Sequence, residues 1–165
     1  MNQTMKPPPS YDKGKYHYET VREEGLPDEH AANHTMYFLR WLIERDLTSE
    51  FFREEGKEPL EGFRKGDFTI HEVYGWWDEV LVGDMLSDEG NAFAMAYFDF
   101  DKGAYMADYE ATLLGDYEST WHIPFSEAHY AKMKAVIDRR YEEWKNGTLT
   151  AKTSEITNKP WWKFW

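Results

Sequence analysis

A chain of 165 residues with 41% hydrophobic and 18% aromatic side chains can bury one substantial core, which excludes a disordered chain. The lack of cysteine excludes a disulfide framework, thiolate-ligated zinc and a thiol nucleophile. The net charge of −12 sits in one segment: Asp67 to Glu118 holds thirteen acids and one base, Lys102, while the 18 acids and 18 bases elsewhere cancel.

In chain order, residues 1–10 form a loose arm around Pro7, Pro8 and Pro9. They contain no apolar stretch of the kind that opens a secretory signal, so a cytoplasmic protein is expected. A single globular domain over residues 11–147 and a linker with a Trp-rich tail over 148–165 complete the expected organisation. Tyr16 and Tyr18 alternate with polar residues and predict an extended segment.

The spacing of Ala31, His34, Thr35, Phe38, Trp41 and Leu42 predicts a long helix from about Pro27 to Asp46, widened by Met36, Leu39 and Ile43 into a central element. "EEGKEPLEGFRKGD" reads as a polar connector. A second helix runs from Thr69, with Ile70, Val73, Tyr74, Trp77, Val80 and Leu81 on its buried side. Gly75 inside it costs about 1 kcal/mol relative to alanine, which suggests a close packing contact there.

Ser87 is placed to cap a third helix. "DFDKGAYMADYEATLLGDYE" reads as two short helices joined near Gly103. Ser126 opens a last helix carrying Tyr130, Met133, Ile137, Tyr141 and Trp144, stopped by Asn146-Gly147. The expected fold is mainly α, a bundle of about four to five helices with an extended N-terminal segment and a small β element.

Candidate chemistry is sparse. His30 and His34, four apart on the first helix, share a face and are the candidate metal ligands; a third ligand would come from His71 with Glu72, or from His122. The competing reading makes His34 a hydrogen-bonded core histidine and His30 a residue of the helix start. Asp99, Asp101 and Glu110 superficially match a calcium loop, but Gly103 stands where a ligand belongs and Ala104 where the turn glycine belongs. With no Gly-rich phosphate loop and no G-x-S-x-G, no catalytic constellation is identified, and neither an enzyme nor a cofactor is expected.

The acidic segment makes direct nucleic-acid binding unfavourable and favours a basic protein partner; a merely solvated face is the bland alternative. The expected partner-binding acids are Glu72, Asp78, Glu79, Asp84, Asp88, Glu89, Asp99, Asp101 and Asp108, with Trp76, Trp161, Trp162 and Trp165 as aromatic anchors. The tip "PWWKFW" is expected to dock on its own body or on a twin in a homodimer. Only Lys159 and Lys163 accompany it, so a membrane is not the expected target.

"YDKGKYHY" at Tyr11–Tyr18, "LPDEHAANHTMYFLRWLIERDLTSEFF" at Leu26–Phe52, "DEGNAFAMAYF" at Asp88–Phe98, "MADYE" near Asp108 and "VIDRRYEEW" at Val136–Trp144 together resemble a family of small, acidic bacterial proteins. That resemblance carries over no functional residue. The profile is also similar to that of immunity proteins of bacterial toxin systems, which implies a cytoplasmic binder that occludes a cognate toxin with a basic surface. The alternative is a helical-bundle metalloenzyme using His30 and His34.

Overall fold

The structure, a computed structural model, describes residues 6–8 and 10–150. The tryptophan tip and its expected docking lie outside these residues. Among the described residues there are eight α-helices and a two-stranded antiparallel sheet, as the mainly α reading requires. None of the helices is long and apolar enough to cross a membrane.

The centre is α2 (Asn33–Glu44), buried at every position from Asn33 to Leu39 and again at Trp41, Leu42 and Ile43. Its predicted first turn is a separate 3-10 turn, Asp28–Ala31, and the left-handed Asp46 (φ 58°) turns the chain away just beyond its end. Around α2 the core is aromatic. Phe38 stacks on Phe98 with centroids 4.6 Å apart, and Trp41 meets Phe93 at 5.3 Å.

On one side of α2 lie α3 (Glu50–Glu55), α4 (Lys57–Lys65) and α5 (Ile70–Trp76). The predicted connector is therefore largely helix α4. Pro59 is tolerated in its first turn, where no intrahelical N–H is needed. Leu60 turns into the core with Phe63 packed against it, and Gly66 at φ 85° supplies the left-handed end. Helix α5 starts with a capping box between Thr69 and Glu72 but ends sooner than its apolar pattern suggests. Asp78 (φ 59°) and Glu79 (φ 54°) are left-handed, and the chain turns from α5 into a strand. Among the described residues the expected contact at Gly75 is not made, since a Cβ there would meet none of their atoms within 4 Å.

On the other side, α6 (Asp88–Tyr97), capped by Ser87, and α7 (Tyr105–Leu113) pack with the long α8 (Glu127–Lys145). The α6–α7 turn is closed by Gly103, whose N–H donates to the Asp99 carbonyl at 2.7 Å. A Cβ on Gly103 would lie 2.0 Å from the Tyr97 carbonyl oxygen, a backbone atom that cannot swing aside. Gly103→Ala should therefore cost about 1–3 kcal/mol, read from the urea midpoint; an unchanged midpoint would show that this turn yields freely.

The N-terminal segment closes the fold. Strand β1 (Asp12–Lys13) pairs antiparallel with β2 (Val80–Leu81), Asp12 opposite Leu81. The rest of the predicted extended segment is a 3-10 turn, Gly14–Tyr16, and a short helix α1 (Tyr18–Glu23).

Candidate functional site

Strand β1 carries Asp12 onto the face of α2 that holds His34 and Thr35. The carboxylate is 1% exposed and is surrounded by three polar side chains. The His17 ring, between the 3-10 turn and α1, places Nε2 2.7 Å from Oδ1. His34 Nε2 lies 3.0 Å from Oδ2, and Thr35 Oγ1 donates to Oδ2 at 2.5 Å. The His17 ring is hydrogen-bonded to a carboxylate that cannot donate while ionised, so its Nε2 carries the shared proton.

Burial alone would push the Asp12 carboxyl up; the two imidazoles facing it overcome this and hold it well below the usual carboxylate range. Burial pushes the His34 imidazole down, against the pull of Asp12. Aromatic rings wall the cluster. Trp121 lies 4.9 Å from the His17 ring and 5.3 Å from the His34 ring, with Phe100 5.9 Å and Tyr109 6.4 Å from His34.

His34 thus has the core role foreseen for it, but its partners are not His30. The His30 ring donates from Nδ1 to the Trp121 carbonyl at 2.7 Å. Because residues 28–31 form a 3-10 turn separate from α2, the i, i+4 spacing of His30 and His34 does not describe one helical face. The other proposed ligands are also elsewhere: His71 lies 3.5 Å from Glu79, and His122 3.3 Å from Glu118.

The acids expected to bind a partner divide into three groups. Glu72, Asp78, Asp84, Asp88, Glu89 and Asp101 are exposed. Glu79 and Asp99 are half-buried and occupied within the chain. Glu79 accepts from Tyr18 at 3.0 Å, and Asp99 accepts the backbone N–H of Asp101 and Lys102. Glu89, though exposed, accepts the Tyr141 hydroxyl.

Asp108 is a correction. It is buried, bound bidentately by Arg140 at 2.8 Å through each oxygen and by the Tyr97 hydroxyl at 2.7 Å. It ties α6, α7 and α8 together and is not a surface contact.

Two of the four large exposed aromatics sit on the α3–α5 side; the others are Tyr16, in the 3-10 turn after β1, and Tyr117, in the loop after α7. Trp76 is 51% and Phe51 48% exposed, and Phe51 meets the half-buried Trp77 edge-on at 5.6 Å. Trp76 borders a shallow groove of about 520 Å³ lined by Glu54, Glu55, Glu58, Glu61 and Asp67 and by two lysines. Most of these acids lie before the acidic segment, where charge counting found balance. Asp84 joins this side of the molecule, its carbonyl accepting the Ser49 hydroxyl at 2.6 Å beside the start of α3.

A family profile described as a domain of unknown function, DUF7832, matches residues 10–123, more than half of the chain. The chain belongs to the DUF7832 family. Neither a curated protein nor a solved structure matches it. The DUF7832 region holds Asp12, His17, His34, Trp121 and the α3–α5 face, and it stops before α8.

Proposed function

We propose that this DUF7832 protein is a binding protein of the toxin-immunity kind, which occludes a basic partner with its acidic, aromatic α3–α5 face. The observation that carries this reading is Trp76: a large ring, half exposed, at the edge of a groove lined by five acids and two lysines. Aromatic anchors dominate protein interfaces energetically, and a surrounding field of one sign steers an oppositely charged partner. The general profile, a short acidic chain rich in Trp and Tyr, is similar to that of immunity proteins and fits the same reading.

The test is stopped-flow association and calorimetric titration against a toxin polypeptide captured from the native strain or encoded by a neighbouring gene, with the salt concentration varied. Binding should slow markedly as salt rises. Trp76→Ala should weaken it by about thirtyfold or more while leaving the fold intact. Association indifferent to both salt and Trp76 would reject the assignment.

A further inference from the structure

We propose that Asp12, His17 and His34 form a binding site for one divalent first-row transition-metal ion, with Zn²⁺ as the reference. The three donor atoms, two imidazole nitrogens and one carboxylate oxygen, lie within 4.8 Å of one another. They come from three elements that only the fold brings together: β1, the start of α1, and α2.

The donor set selects the ion class. Two imidazoles with one carboxylate suit zinc and its neighbours, whereas calcium and magnesium prefer all-oxygen shells. Tetrahedral ligands about 2.1 Å from zinc stand roughly 3.4 Å apart. The two carboxylate–imidazole contacts, 2.7 Å to Oδ1 and 3.0 Å to Oδ2, are made to different oxygens, so the carboxylate turns to present one of them and the contacts open by roughly half an ångström as the ion enters. Each ring then binds through Nε2 and carries its proton on Nδ1, and water takes the fourth position.

The outer shell has the parts such a site needs. Thr35 donates to Asp12 Oδ2 and fixes the carboxylate, and aromatic rings exclude bulk water from His34. His17, with its side chain 12% exposed, is the entry. Because two of the donors are buried and the three span three elements, the ion's role is to pin the N-terminal segment to α2. This site is independent of the α3–α5 face, and either can fail alone.

The experiment titrates chelator-treated full-length protein with Zn²⁺ by calorimetry and with Co²⁺ by visible absorption. The expected result is one equivalent bound, with the absorption bands of a low-symmetry cobalt site. Zn²⁺ at a hundredfold excess over its Kd should raise the melting temperature by roughly 5–10 °C, and Mg²⁺ should not. His17→Ala, at the edge of the cluster, should remain folded and lose the cobalt bands. Thr35→Val should weaken binding by about 10–100-fold. Absence of saturable binding, or equal binding by His17→Ala, would overturn the proposal, the second result placing the ion elsewhere on the surface.

Discussion

Asp12→Ala should lower the stability of the metal-free protein by about 3–5 kcal/mol, the usual cost of breaking a buried charged network by removing one partner. For a chain of this size that is roughly 6–20 °C in melting temperature. The loss has two sources. The donors on His17 and Thr35 lose their shared acceptor, His34 loses the carboxylate 3.0 Å from its ring, and β1 loses its tie to α2. Asp12→Asn, which keeps an acceptor oxygen but not the charge, should fall between the wild type and the alanine variant.

The pH dependence distinguishes this network from simple packing. His34 has its affinity for protons lowered by folding, so the unfolded chain takes up the extra proton as pH falls below about 6.5 and stability declines from there. Asp12 also has a lowered folded value. Its contribution is therefore complete above the unfolded value near 3.9 and is lost as pH falls through that value and beyond. Both effects have the same sign. Urea midpoints measured from pH 8 to pH 3 should decline most steeply at the acid end for the wild type. That decline should be shallower in Asp12→Ala, which keeps only the share of the other lowered carboxyls, Asp28, Glu79 and Asp138. His71, raised by Glu79, opposes the His34 effect nearer neutral pH. Parallel curves for the two proteins would show that Asp12 is not held ionised by its neighbours.

How much of this was readable in the sequence follows from the range of each interaction. Helix α2 was legible because its whole apolar stripe is local, and Ser87, Thr69 and Ser126 marked the helix starts that they cap. Helix α4 was not: nine residues with Leu60 and Phe63 as the only large apolar side chains look like a connector until a neighbouring core is supplied. The cluster was half legible. His34 stood out as a histidine on an apolar stripe, but Asp12 reaches it only because a two-residue strand pairs with Leu81, and nothing local announces that pairing. Asp12 and His17 both lie in "YDKGKYHY", one of the stretches that carries the family resemblance, so the signal was present without its geometry. The acids misled for a related reason. Counting them along the chain cannot show that Asp108 faces Arg140, 32 residues later on α8.

Two tryptophans separate stability from binding. Trp41 lies wholly within the core, between Phe38, Phe93 and Tyr141, and its Nε1–H donates to Asp138 on α8 at 2.8 Å. Trp41→Ala removes the ring, leaves a void where α2, α6 and α8 meet, and strips a donor from Asp138. It should cost about 3–5 kcal/mol. Trp41→Phe keeps most of the ring volume and loses chiefly the hydrogen bond to a charged acceptor, worth about 1.5–3 kcal/mol. Trp76→Ala removes a ring of the same kind that is half in water, so its effect on stability should stay below about 1 kcal/mol. The order in binding should reverse. Measured well below its melting temperature, the Trp41→Phe protein should hold the partner as the wild type does, because the α3–α5 face is untouched. Trp76→Ala should be fully folded and bind weakly. Urea midpoints and partner titrations on the wild type and the three variants decide the matter. If Trp76→Ala lost stability on the scale of Trp41→Ala, the exposed ring would be part of the fold and the α3–α5 face would lose its anchor.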